Sequence, residues 1–251
     1  MPLHPRPKRR ADRSLFRAML VVLALVPWAC RKTPALPEGS RITVMTALPL
    51  FGTNADPGVV LNGPDQRAEI IRILSARYEV VPLARLDRNL LADSILIMAQ
   101  PRALAGEELV AVDAWVRSGG KVLVFTDPEL FWPSELPLGD PRRPPPIGLL
   151  DPLLSHWGLV LVSPAITDSG PEGAIAIGQS SVAVAWAGRW QTRDRRCKVE
   201  SDGFIADCRV GKGRAVLVAD ADLLDQRLWR ESGMDNESAI LGLIDRVAAA
   251  R

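Results

Sequence analysis

Three aspartates carry most of the chemical potential of this chain. Asp127 follows the apolar run Val122–Phe125, and Asp220 and Asp222 follow a second run, Ala215–Ala219. Continuous apolar runs of this length read as strands covered on both faces. Carboxylates at the carboxyl ends of neighbouring strands lie where open α/β sheets gather ligands, and could meet a divalent cation or a hydroxyl-rich molecule. A metal-assisted hydrolase is the reaction such a set would support. The bland alternative, capping of the turns that follow, asks less of the residues, since a short carboxylate readily accepts nearby backbone N–H groups. Neither a resident metal nor a cofactor is expected.

Nucleophilic catalysis does not assemble. Beyond the first residues the chain has a single histidine, His156, in the run LLSHWG. A Ser–His–Asp or Cys–His set needs a base beside its nucleophile, and no predicted strand ends in a G-x-S-x-G elbow. His156 falls near a helix C-terminus, where a donor or positive side chain suits the helix dipole. Gly211-Lys212-Gly213-Arg214 resembles a phosphate loop but leads into a strand, so no helix N-terminus receives a phosphate. A tight turn is expected there.

The cysteines point to an address. Residues 1–29 contain a basic stretch to Arg17, an apolar run from Ala18 to Trp28 and Ala29, the layout of a signal peptide or an uncleaved signal anchor. The run is short of the roughly 20 residues that a membrane span needs. Ala29-Cys30 partly resembles a lipobox, in which Cys30 would be lipidated after cleavage. Residues 30–40, with Pro34 and Pro37, then form a tether. The body is expected to be periplasmic and membrane-anchored through Cys30 or the leader. In CKVESDGFIADC, Asp202-Gly203 suits a two-residue type I′ turn. Centring the turn there places Ser201 opposite Phe204, Lys198 opposite Asp207, and Cys197 opposite Cys208. Alternation makes the cysteines a hydrogen-bonded pair about 5.5 Å apart at Cα, within reach of a disulfide. An oxidising compartment explains that pair best.

The net charge of +2 belongs to the leader. Removing residues 1–29 takes away six basic side chains and Asp12, leaving 25 basic against 28 acidic and a net of −3. A mildly acidic body with no basic stripe argues against nucleic acid as a partner.

The elements that position these residues centre on Gly106–Pro128. Leu109, Val112 and Val116 recur at helical spacing, Asp113 and Arg117 form an (i, i+4) pair, and Gly119-Gly120 stops the helix before the Val122–Phe125 strand. Further strands are expected at Ile42–Leu48, Tyr78–Val81, Ser94–Met98 and Ala215–Ala219. Helices are expected at Asp65–Ala76, Leu149–Trp157 and Ser238–Ala250, with a helical turn at Leu83–Leu91. Strands alternating with helices predict an open, mostly parallel, doubly wound α/β sheet. Residues 41–251 form one such domain, with a small antiparallel β extension at about 160–212 that includes Ala174–Ile177 and Ser181–Trp186. Trp132–Pro146 is too proline-rich for a helix or central strand and becomes a surface loop beyond the strand ends. Trp132, Arg142 and Arg143 are the residue types of contact hot spots; Trp132 either docks a partner or anchors the loop. Trp186 reads as core.

AVDAWVRSGGKVLVFTDP, LLDPLLSHWGL and RVGKGRAVLVADADLL together resemble the extracytoplasmic domain of GldG-like, gliding-motility-type ABC transporter auxiliary proteins, over roughly Ser94–Leu224. The resemblance implies a fold like the class I glutamine amidotransferase-like superfamily and an ABC-type transport component as partner. This chain departs from it in lacking the amidotransferase nucleophile and the membrane helices many auxiliary proteins carry. The expectation is a non-catalytic, membrane-tethered periplasmic domain that binds a protein partner or envelope ligand.

Overall fold

Short apolar runs with almost no polar interruption must be covered on both faces, and they build the centre of the sheet. In the computed structural model the described residues are 1, 36–52, 67–86, 94–164, 172–192 and 194–249. The signal segment, Cys30 and parts of the expected helices at Asp65–Ala76 and Leu83–Leu91 lie outside them.

The main sheet has seven strands. They are β1 (Arg41–Thr46), β2 (Glu79–Pro82), β3 (Ile95–Ala99), β4 (Lys121–Phe125), β9 (Cys197–Glu200), β10 (Ile205–Val210) and β11 (Gly213–Val218). Their order is β2-β1-β3-β4-β11-β10-β9. The pairs from β2 to β11 are parallel, and β10 and β9 add an antiparallel edge. Two further antiparallel pairs stand apart from it: β5 (Leu159–Val162) with β8 (Arg189–Thr192), and β6 (Glu172–Ile177) with β7 (Ser180–Ala185). The mixed, mostly parallel α/β architecture thus follows the expected pattern. The β-rich segment divides differently, because β9 and β10 continue the main sheet instead of joining the smaller extension. Their hydrogen-bonding edge is completed by β11, whose own run is buried from Ala215 to Val218.

Among the described residues five α-helices accompany the strands: α1 (Glu69–Ser75), α2 (Gly106–Ser118), α3 (Asp151–His156), α4 (Gln226–Ser232) and α5 (Asn236–Ala248). No helix among the described residues is long and apolar enough to cross a membrane. Helix α2 packs on β11, and α5 packs on β4 and β11, through Val112 and Val116 on one side and Ile240, Leu243, Ile244 and Val247 on the other. Glu108 closes the start of α2 by accepting from the Ala105 N–H at 3.0 Å, half of a capping box. Its other partners are the Arg102 guanidinium and the Leu86 N–H. The Arg102 hydrogen bond, against the opposing effect of burial, holds the Glu108 carboxyl down at about 2. Gly119 ends α2 at φ 129°, a backbone conformation that suits glycine. Helix α4 is an element that the periodicity of the sequence does not disclose. It is seven residues long and is capped by Asp225, whose side chain accepts from the Arg227 N–H.

The hairpin register is the expected one: Lys198 opposite Asp207 and Cys197 opposite Cys208, joined by a disulfide. Asp202 and Gly203 both take positive φ, and the Phe204 N–H donates to the Ser201 carbonyl, closing a type I′ turn. One detail differs. Ser201 also has a positive φ of 50°, which reverses the phase of the ladder beyond the turn. The Arg209 N–H therefore donates to the Arg196 carbonyl, and the neighbouring cysteines form a non-hydrogen-bonded pair with Cα atoms 4.0 Å apart.

Candidate functional site

The exits of β4 and β11 bring Asp127, Asp220 and Asp222 together under a loop, all at most 1% exposed. Each carboxyl is engaged by backbone donors. Asp127 accepts from the Glu129 N–H at 2.9 Å and the Ala221 N–H at 3.1 Å. Asp220 accepts from Ala185 in β7 and from Leu223. Asp222 Oδ2 accepts from the Phe131 N–H at 2.7 Å. One oxygen, Asp222 Oδ1, has no N–H or hydroxyl donor. The Asp127 and Asp222 carboxyls raise or lower each other's titration, and since two carboxylates offer only acceptors, a proton on one of them relieves their repulsion.

The titration of the cluster follows from that geometry. Burial, then the Asp222 charge, pushes Asp127 up to about 8. Burial pushes Asp222 up to about 7, against the Phe131 N–H and with the Asp225 charge adding to the rise. Burial and the two neighbouring aspartates hold Asp220 well above the ordinary carboxylate range. At pH values below these the set is a protonated clasp between strand ends. Among the described residues, no group of three or more His, Cys, Asp and Glu is arranged to hold a metal ion.

The clasp holds the Trp132–Pro146 loop in place. The Leu130 N–H donates to the Pro146 carbonyl at 2.8 Å and closes the loop at its base. Gln100 is the second fastener. It is fully buried at the end of β3, with φ 40°. Its Oε1 accepts from the Asp127 N–H and its Nε2 donates to the Pro145 carbonyl at 3.1 Å. A bulky residue held in the left-handed region persists only where its surroundings over-determine it, and here both ends of the amide are fixed. At the loop's exit Gly148 lies so close to Thr126 that an added Cβ would sit 2.3 Å from Oγ1. Gln100 escapes sequence reading, although its place directly after a buried strand and before Pro101 is a usable signal.

Trp132 is half-buried and packs on the hydrophobic core beside Leu130, so it anchors the loop. Arg142 is paired with Asp140 at 2.7 Å, and Arg143 donates to the carbonyls of Ser134 and Leu136 inside the loop. The outward side of this segment carries Phe131, Leu138 and Ile147, which are 45%, 84% and 52% exposed. Sequence reasoning passes over these three because tryptophan and arginine dominate its criteria. His156 sits on the exposed end of α3, 3.7 Å from Asp113, while the Trp157 indole donates to the other Asp113 oxygen at 2.8 Å. It helps join α3 to α2 and lies away from the aspartates.

A separate cavity of about 810 Å³ lies among β6, β8, the end of β5 and the Ser201–Gly203 turn. None of the three aspartates lines it. Trp186 does, half-buried with φ 49°, instead of entering the core as its alternating neighbours suggested. The core position is taken by Trp190, 3% exposed.

The model of the family described as ABC-type uncharacterized transport system matches residues 40–186 of the chain. No curated protein sequence is significantly similar. Among solved structures, the mmIFT52 N-terminal domain aligns with TM-score 0.53 at 10% identity, covering 84% of this chain and 98% of that one. A cytoplasmic protein from Salmonella typhimurium aligns with TM-score 0.48 at 10% identity, covering 82% and 98%. The exo-beta-1,4-mannosidase Op5Man5 from Opitutaceae bacterium strain TAV5 aligns with TM-score 0.47 at 13% identity, covering 85% of this chain but 36% of the enzyme. At such identities the first of these likenesses speaks for the fold alone, and the other two carry no argument.

Proposed function

The chain belongs to the family described as ABC-type uncharacterized transport system, and from that premise we propose that it is a non-catalytic domain, auxiliary to an ABC-type transporter, that docks a protein partner on the loop over its strand ends. The observation that carries this reading is the division of labour at those ends. Asp127 and Asp222 hold the backbone at Glu129 and Phe131, where the chain enters the loop, and this segment exposes Phe131, Leu138 and Ile147 to solvent. Exposed apolar side chains on a proline-rich segment lose little conformational freedom on docking, which favours association. Arg142 and Arg143 belong to the same segment and would frame the contact. GldG-like auxiliary proteins and the class I glutamine amidotransferase-like fold remain the finer family and fold assignments within this proposal.

The address is part of the same proposal. A signal segment at residues 1–29 would export the body, and Cys30 or the leader would tether it to the membrane on the periplasmic side. The Cys197–Cys208 disulfide supports an oxidising compartment.

The alternative, a metal-assisted hydrolase using Asp127, Asp220 and Asp222, has a direct test. Thermal unfolding followed with Mg²⁺, Mn²⁺, Ca²⁺ and Zn²⁺ is expected to show no cation-dependent rise in Tm, because a ligand raises Tm only by binding the native state. A rise that Asp220→Asn abolishes would favour the hydrolase and remove the non-catalytic reading.

A further inference from the structure

The two edges of the β6–β7 hairpin are treated in opposite ways. On β7 the outward groups are covered by side-chain and backbone groups from elsewhere in the fold. Asn236 brackets Ala183, accepting from its N–H and donating to its carbonyl, both at 2.8 Å. Asp220 accepts from the Ala185 N–H at 3.1 Å, and the Asp235 N–H donates to the Ser181 carbonyl at 3.1 Å. Ser181, Ala183 and Ala185 therefore face away from β6, and by the antiparallel register their opposite residues Ala176, Ala174 and Glu172 face away from β7.

The outward N–H and C=O groups of Ala174 and Ala176 have no partner among the described residues, and both residues are exposed. Natural edge strands are commonly blunted by Lys, Pro or a bulge. The interior of β6, Gly173 to Ala176, carries none of these and no charge. Small side chains leave its backbone approachable.

The cavity of about 810 Å³ borders β6 and also reaches Val184 of β7. Four consecutive residues, Gly173–Ala176, line it, whereas one face of a strand would contribute only alternate residues. Across it stand Trp186, Arg189 and Asp202. Neither Arg189 nor Asp202 has an ion pair or side-chain hydrogen bond among the described residues, in contrast to Arg142 and Arg196, which are committed to their own aspartates.

We infer that β6 and this cavity form a second binding site, one that takes an extended peptide segment of another protein as an added strand. The spacing of the open groups selects the ligand. Alternate backbone donors and acceptors along an extended edge are satisfied together only by another extended backbone. Trp186 offers an apolar surface to one of its side chains, and Arg189 and Asp202 offer opposite charges to its polar groups. This inference shares with the preceding proposal only the premise that the chain binds proteins, and it uses a different surface.

The test is selection of phage-displayed random dodecapeptides on the full chain, followed by residue-resolved amide hydrogen exchange of the complex. A selected peptide is expected to slow exchange at Ala174 and Ala176 and to leave Phe131 and Leu138 unaffected. Ala176→Pro removes an outward N–H while keeping the β6–β7 ladder, and should weaken binding roughly tenfold, the scale of a lost hydrogen bond plus a steric block. N-methylation of alternate peptide amides should do the same with the protein unaltered, which covers the case in which the proline variant folds poorly. Peptides that protect Phe131–Ile147 and leave β6 exchanging would overturn this site while supporting the loop. Failure to enrich any peptide, or equal affinity for the N-methylated form, would also overturn it. A concentration-dependent dimer protecting the same two amides would assign the edge to a second copy and refute the peptide assignment.

Discussion

Replacing Asp207 by alanine is expected to cost about 3–5 kcal/mol of stability, the scale for removing one member of a buried charge network. Asp207 lies in β10 and is 3% exposed. It accepts from Arg214 Nε at 2.9 Å and Nη2 at 2.6 Å, and from Arg246 Nε at 3.0 Å and Nη2 at 2.8 Å. Burial alone would raise its pKa, but the two guanidinium groups outweigh that and hold it below the ordinary carboxylate value. Arg214 also donates to the carbonyls of Arg246 and Ala249, and Lys121 to that of Ala248. The last carbonyls of α5 are thus held by basic side chains, as the helix dipole favours. Without Asp207, Arg214 loses the carboxylate that positions it on the last carbonyls of α5, and Arg246 is left with Glu200 alone. Urea denaturation should show a large fall in midpoint with an unchanged slope. Arg142→Ala, which breaks an exposed pair with Asp140, should leave the midpoint where it was. Equal effects from the two variants would contradict this account of the network.

The second large effect is a fall in stability as pH rises from about 5 to about 9. Asp127 and Asp222 are held up at about 8 and about 7, and Asp220 is also raised. In the unfolded chain such carboxyls titrate near 3.9. Between those values the folded state binds protons that the unfolded state has released, so stability decreases with pH. The contribution is complete below the unfolded value and is lost as pH rises through the folded values, a change on the order of 5 kcal/mol for the cluster as a whole. Glu108 and Asp207 work in the opposite sense. Their depressed values give stability that is present above about 4.5 and lost as pH falls through the folded values, outside the window of the clasp. Asp222→Asn is the diagnostic variant. Its amide oxygen keeps the acceptor for the Phe131 N–H, and its neutral NH₂ removes the charge that acts on Asp127 without needing a proton. The dependence of Tm on pH between 5 and 9 should flatten in that variant. A wild-type Tm that stays level or climbs across the window would refute the protonated clasp.

Much of the scaffold was legible because it rests on short-range rules. Helix α2, its glycine stop and β4 follow from apolar spacing and from Gly119, and the cysteine register follows from Asp202-Gly203. What sequence alone left open depends on tertiary choices. The positive φ of Ser201 inverts the hydrogen-bond phase of the hairpin, and no local rule requires it. Whether β9 and β10 extend the main sheet depends on the free edge of β11, which lies outside their own pattern. Trp186 lies between alanines and Trp190 between Arg189 and Gln191, yet Trp190 entered the core and Trp186 lines a cavity. For the site, the meeting of Asp127, Asp220 and Asp222 was readable from their places after two strands. Their engagement with backbone donors was one of two open readings until the loop was positioned. Gln100 and the outward Phe131, Leu138 and Ile147 acquire meaning only through that loop, since exposure is a property of the folded surface.

Under the proposed function, the loop over the strand ends docks a component of an ABC-type transport system. A photo-crosslinking amino acid placed at Leu138, which is 84% exposed, tests it in cells, with crosslinked partners identified by mass spectrometry. The expected result is a discrete adduct with a membrane or membrane-associated subunit of such a transporter, weakened by Phe131→Ala and by the Cys30→Ser change that removes the proposed tether. An abundant, correctly folded protein that forms no adduct from Leu138, or forms one only with proteins outside the cell envelope, would contradict it.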